Sequence, residues 1–134
     1  MGAVRIALKE LIVTLPNKPG QVHAVANLLS TNGINMLAVA VIANGDSAEF
    51  HVVVDKAEDG ERTLRDNKIN VKTGEVLLLE LLHSPGELAR IAKLLADAKV
   101  NITLLYGSGA KGIEAQLVLG VDDLKKAKRA LDMD

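Results

Sequence analysis

The chain contains one sequence pattern twice, at a constant spacing of 66 residues. The first copy covers residues 11–35 and reads LIVTLPNKPGQVHAVANLLSTNGIN; the second covers residues 77–101 and reads LLLELLHSPGELARIAKLLADAKVN. Several of the differing positions exchange one aliphatic residue for another. A repeat of this length is one supersecondary unit used twice, so the fold and any site are interpreted unit by unit. The identical pairs are Leu11/Leu77, Leu15/Leu81, Pro19/Pro85, Gly20/Gly86, Ala26/Ala92, Leu28/Leu94, Leu29/Leu95 and Asn35/Asn101.

The length of 134 residues allows one ordinary domain or two small ones, and the repeat favours two. We expect a first unit at residues 1–73, with an extra N-terminal strand at 3–9, and a second unit at residues 74–134. A lone unit of this size buries little apolar surface, so the copies are expected to pack together or to dimerise.

Composition excludes several classes of function. The net charge of −1 provides no electrostatic footprint for nucleic acid. No apolar run approaches the roughly 20 residues of a membrane helix, and no signal peptide opens the chain. The absence of cysteine removes disulfides, thiolate metal sites and cysteine nucleophiles. We therefore expect a cytoplasmic protein that binds neither nucleic acid nor membrane.

Apolar periodicity predicts the same order of elements, βαββα, in both copies. Alternation with a period of two indicates strands, and the period changes to that of an amphipathic helix after each Pro-Gly pair. Val22 and Leu88 are expected on the buried faces of these helices. Asn44-Gly45 is predicted to form a type I′ hairpin turn, and Thr73-Gly74 a turn between units. The predicted strands are 4–8, 11–15, 34–42, 47–54, 69–72, 76–82, 100–106 and 113–121. Four helices are predicted: one after Gly20, one after Gly86, and two more at 57–67 and 123–131.

This order predicts an α+β protein made of two ferredoxin-like βαββαβ units, each an antiparallel sheet with its helices on one face. One irregularity needs an explanation. The second copy ends directly after its last helix, with no final strand, whereas the first copy has a surplus strand before Glu10. Our hypothesis is that residues 3–9 supply the missing strand to the second unit, in the same chain or in a partner.

The two Pro-Gly segments are candidate ligand sites, because the first amides of a helix lack internal partners and carry partial positive charge. Such a helix end accommodates a carboxylate. In the first unit no obvious cap occupies these amides, and a lysine adds a cation; in the second, Ser84-Pro85-Gly86-Glu87 matches a capping box. We therefore favour the first loop, with the alternative that both are only tight turns. The candidate residues are Asn17, Lys18, Pro19, Gly20 and Gln21, and in the second loop His83, Ser84, Pro85 and Gly86.

Each copy has an apolar strand, then N-K-P-G or S-P-G, then an amphipathic helix, and then G-I-N or K-V-N at the start of the next strand. This combination resembles the ACT domain, present in tandem over nearly the whole chain. The resemblance implies βαββαβ units that pair and bind small effectors, usually amino acids, and so regulate an enzyme or a transcription factor. It also implies that the start of the second strand faces a neighbouring unit's loop and holds the effector's amino group. That position corresponds to Asn35 and Met36, and in the second unit to Asn101 and Ile102. The alternative for both asparagines is a local turn role.

Other motifs are interpreted as structural. Gly107–Gly112 matches G-x-G-x-x-G, but a strand rather than a helix follows, so we expect a long hairpin loop and no nucleotide. No catalytic constellation, metal set or cofactor is indicated. His83 is within reach of a loop ligand, although a histidine without a role is the alternative.

The sequence thus predicts a non-enzymatic, amino-acid-binding regulator that forms a homodimer and acts on a metabolic enzyme. The alternative is an interaction module that docks on such an enzyme without a ligand.

Overall fold

A computed structural model describes residues 5–81, 85–110 and 113–133 of the chain. Ten elements follow one another in these ranges. No helix among them is long and apolar enough to cross a membrane. The elements are β1 Arg5–Pro16, α1 Gln21–Thr31, β2 Met36–Asn44, β3 Ser47–Val54, α2 Ala57–Asp66, β4 Val71–Leu81, α3 Glu87–Asp97, β5 Ile102–Ala110, β6 Ile113–Val121 and α4 Leu124–Ala130.

The chain forms two compact units, one of residues 9–74 and the other of residues 1–8 together with 75–134. Strand order in the first unit is β2-β3-β1-β4, and in the second β1-β4-β6-β5. The hairpins β2–β3 and β5–β6 are antiparallel, as are the pairs β1–β3 and β4–β6. This is the ferredoxin-like arrangement, with the first strand of each unit inside the sheet, and it confirms the predicted fold class.

Two strands are longer than the sequence patterns predict. The expected break near Lys9 is absent, because β1 runs without interruption from Arg5 to Pro16. The expected turn at Thr73-Gly74 is also wrong, since both residues lie inside β4. A Cβ built at Gly74 would lie 3.9 Å from Cδ1 of Ile12, an ordinary contact, so no close approach in the described residues requires the glycine there. Each of these strands therefore has residues in both units.

One apolar cluster stabilises the first unit. It joins β1 and β3 to the two helices, because alternate strand residues point to the same side of the sheet. Fully buried Leu and Val side chains at ~1.5–3 kcal/mol each supply most of the driving force. The buried members are Leu11, Val13, Val25, Leu29, Ile34, Phe50, Val52, Val54, Leu64 and Val71.

A second cluster has the same construction in the other unit. Ile91 and Leu95 of α3 occupy the positions of Val25 and Leu29 in α1, which reproduces the sequence repeat in the packing. Val22 and Leu88 were expected in these faces, but they are 49% and 46% exposed. Both are in the first helical turn, at the edge of the apolar stripe, so the prediction for them is wrong.

All four helices end in the same way, at a residue of positive φ. The amide of this residue and the next amide both donate hydrogen bonds to carbonyls of the last helical turn. In α1, Gly33 has φ +74° and donates to Ser30, while the next amide, that of Ile34, donates to Leu29. This is the Schellman ending. The equivalent residue after α3 is Lys99, with φ +62°, so the second copy keeps the conformation without the glycine.

Both hairpins differ in detail from the prediction. The first turn has Gly45-Asp46 at its centre, because Asn44 still pairs with Ser47, and of these only Gly45 has positive φ. This is the requirement of a type II′ turn rather than type I′. In the second hairpin the strands extend until Ala110 pairs with Ile113, so the expected long loop is wrong.

Candidate functional site

The two Pro-Gly loops have nearly identical backbone geometry. Gly20 caps α1 with φ 90° and ψ −9°, and Gly86 caps α3 with φ 91° and ψ −6°. Both conformations are left-handed, which glycine adopts without steric cost. A Cβ at either position would meet no atom within 4 Å, so the space in front of both glycines is open.

The first loop is fixed to the neighbouring hairpin by Asn17. Its amide N–H donates to the carbonyl of Asp46 at 2.9 Å, and its side-chain Nδ2 donates to the carbonyl of Gly45, also at 2.9 Å. We predicted that the Asn17 side chain binds the ligand; in the structure its amide group forms the hydrogen bond that fixes the loop. Lys18 is exposed and carries the only positive side chain between β1 and α1.

The N-cap residue of both helices is a glycine, and no side-chain cap is found for either among the described residues. The first helical hydrogen bonds run from Ala24 to the carbonyl of Gly20 and from Arg90 to that of Gly86, at 3.0 and 2.9 Å. The amides of the first turn precede these donors, and the first amides of a helix have no partner within the helix. Backbone N–H groups and the helix dipole together make such a position suited to an anion.

The capping box predicted for the second loop stays a prediction, because Ser84 and His83 lie outside the described residues. The described N-cap of α3 is Gly86, and Glu87 pairs with Arg90 at 3.3 Å. The two loops still differ in charge, because α3 has this carboxylate in its first turn and α1 has no acidic residue there. An anionic ligand would therefore meet less electrostatic repulsion at the start of α1 than at the start of α3.

The two predicted asparagines take part in equivalent backbone bridges. The amide of Asn35 donates to the carboxylate of Asp55 at 3.0 Å, and the amide of Asp55 donates back to the carbonyl of Asn35 at 3.0 Å. Asn101 and Asp122 form the same pair, at 2.9 and 3.1 Å. The backbone is thus locked, and both asparagine residues are exposed.

Within one unit the structure does not bring the loop and the asparagine together. Helix α1 lies between Gly20 and Asn35, and its 11 residues span about 16 Å at the usual rise. Met36 and Ile102, which follow the two asparagines, are partly buried against the cores of their own units. A free amino acid is too short to touch both ends of one helix.

Sequence reasoning missed a charged network on the sheet face opposite the helices. His51 is 7% exposed and Glu10 is 1% exposed. Nδ1 of His51 lies 3.0 Å from a carboxylate oxygen of Glu10, and Nε2 lies 2.6 Å from one of Glu49. Burial of the ring lowers the pKa of His51, but the hydrogen bonds with the two carboxylates outweigh it, and the pKa is raised above its usual value. The sequence contains no signal for this network, since Glu10 lies on β1 and is 41 residues from His51 on β3.

Apolar side chains are exposed at equivalent positions of the two units. Val22 and Leu88 flank the loops, and Val39 of β2 and Leu105 of β5 are 48% and 38% exposed. Strands β2 and β5 are the edge strands of their units. Among the described residues no group of three or more His, Asp or Glu is placed to hold a metal ion.

Residues 6–133 match a family model described as an ACT domain pair. A search of curated proteins found no match. Solved structures share the fold. Protein BT0572 from Bacteroides thetaiotaomicron is 24% identical with a TM-score of 0.89, over 96% of this chain and 88% of that one. The ligand-free regulatory subunit of aspartate kinase from Thermus thermophilus is 16% identical with a TM-score of 0.70, over 98% and 95%. The corresponding subunit from Thermus flavus is 17% identical with a TM-score of 0.64.

Proposed function

Because the chain belongs to the ACT domain pair family, we propose that it is a regulatory protein that binds a small amino acid and has no catalytic activity of its own. The observation that carries this proposal is the pair of helix ends whose N-cap is a glycine with positive φ and an open space before it. A ligand carboxylate there would accept hydrogen bonds from first-turn amides.

We place the primary site at the first loop, Asn17–Gln21. Lys18 adds a positive charge beside the helix end, and the first turn of α1 contains no carboxylate to compete with the ligand. Gly20 allows close approach to the backbone, while Asn17 keeps the loop in place through the hairpin. The second loop, at Pro85 and Gly86, is the weaker site because Glu87 already occupies the electropositive end of α3.

The ligand's amino group would be held by the asparagine of a neighbouring unit. Asn35 and Asn101 are exposed, their backbones are fixed by aspartate bridges, and their side chains offer both a donor and an acceptor. The length of α1 separates the loop and the asparagine of one unit by about 16 Å, which is too far for one free amino acid to contact both. Binding would favour one arrangement of units and so bias a regulated enzyme.

A homodimer is part of this proposal. The edge strands β2 and β5 present unpaired backbone groups, and exposed edges of this kind recruit further strands. The exposed Val39 and Leu105 on these strands would be covered by the contact.

The proposal is tested by thermal unfolding in the presence of each of the twenty amino acids. The chain has no Trp, so calorimetry or an external dye reports the transition. A ligand at ~100 times its dissociation constant adds roughly 2.7 kcal/mol of stability. Asn35→Ala and Asn101→Ala form a matched pair, because both residues make the same backbone bridge. Loss of the shift in only one of the two variants would identify the asparagine that holds the ligand.

The alternative is an interaction module that docks on a metabolic enzyme without a ligand. The exposed apolar positions Val22, Val39, Leu88 and Leu105 favour it, because they suit a protein contact as well as a dimer. A well-folded protein that responds to no amino acid, but that an enzyme of amino-acid metabolism retains through these positions, would support the alternative.

A further inference from the structure

A recess of about 210 Å³ lies on the face of the first unit's sheet that is opposite the helices. Ile42, Glu49 and Thr14 stand side by side on β2, β3 and β1 and form its floor. Their neighbours Val41, Phe50 and Val13 point to the other face, where Val13 and Phe50 belong to the core. The remaining lining residues are Asn44, Ser47 and Ala48.

Among the described lining residues the charged group is the carboxylate of Glu49, whose side chain is 55% exposed. One oxygen of this carboxylate is fixed by Nε2 of His51 at 2.6 Å, and Nδ1 of the same ring faces Glu10 at 3.0 Å. Carboxylate oxygens only accept, so a ring with both N–H groups satisfies both partners. The three side chains then have a combined charge of −1, and the carboxylate that borders the recess is oriented by a buried ring.

We propose that this recess binds a small primary-ammonium compound, with the ammonium group on Glu49. An ammonium has three donors and no acceptor, and the carboxylate of Glu49 together with the hydroxyls of Thr14 and Ser47 offers acceptors for them. Ile42 provides apolar contact for a short carbon chain. At the ~30 Å³ that one water occupies in the liquid, the volume corresponds to about seven waters, which suits a ligand of a few heavy atoms.

This site is different from the Pro-Gly loop and does not depend on the proposed function. The loop presents backbone amides and favours a carboxylate, whereas the recess presents acceptors and favours a cation. Ethanolamine is therefore a selective probe, because it has an ammonium and a hydroxyl but no carboxylate. Ethylene glycol is its uncharged counterpart.

The experiment is a titration of the ¹⁵N-labelled protein with ethanolamine, followed through amide resonances. We expect saturable shifts at Thr14, Asn44 and Ser47, and at least a tenfold weaker dissociation constant for Glu49→Gln, which keeps an acceptor for His51. Asp46→Asn is the matched control: this exposed acid lies in the adjacent turn, does not line the recess, and should change the constant less than twofold.

Four results would overturn the proposal. The first three are the absence of saturable shifts, equal shifts with ethylene glycol, and unchanged binding by a folded Glu49→Gln variant. The fourth is a set of shifts confined to Gly20 and Gln21, which would assign the amine to the loop.

Discussion

Replacing the two capping glycines by alanine separates the role of the loops in folding from their role in binding. Gly20 and Gly86 differ by 1° in φ and 3° in ψ, by subtraction of the values 90° and 91°, and −9° and −6°. An added Cβ meets no atom within 4 Å at either site. The cost of each substitution is therefore confined to the left-handed backbone, about 1–2 kcal/mol, and we expect it to be equal in both variants.

The binding effect should not be equal. If the effector occupies the first loop, the methyl group of Gly20→Ala stands in the open space that the ligand needs, and most of the ligand-induced stabilisation is lost. Gly86→Ala should retain it. Both variants and the native protein are unfolded thermally with and without the amino acid that gives the largest shift, by calorimetry.

Two outcomes would refute this reasoning at different points. Unchanged stability in both variants would mean that the loops relax to a conformation that alanine tolerates. Full retention of the ligand response in a destabilised Gly20→Ala variant would remove the first loop from the site.

Three further predictions concern stability. Lys99→Gly should stabilise the protein by about 0.5–1 kcal/mol in urea unfolding, because positive φ strains a lysine; a decrease would contradict this. The raised pKa of His51 places its stabilisation at low pH, so stability should fall as pH rises from about 6.5 through the folded-state pKa, and His51→Gln should remove that dependence. Deleting residues 2–8 should destabilise the second unit, because residues 5–8 are grouped with it; unchanged melting would exclude a structural role for this segment.

The candidate site was predictable from sequence only as two separate parts. The Pro-Gly pairs and the asparagines are conspicuous because each occurs twice, with the two copies 66 residues apart. The sequence does not contain the distance in space between a Pro-Gly pair and an asparagine, and in the structure α1 lies between Gly20 and Asn35.

The sequence by itself determined the architecture, because apolar period and turn residues are local properties that chain geometry converts directly into strands and helices. Strands β3 and β6 begin and end where alternation predicts them, and the repeat dictates two units of one kind. Only the tertiary structure decided which strands run on through an expected break, as β1 and β4 do, since pairing with neighbouring strands overrides a weak turn signal. It also decided the network of Glu10, His51 and Glu49. The register of β1 against β3 sets which side chains lie side by side, and no interval along the chain encodes that register.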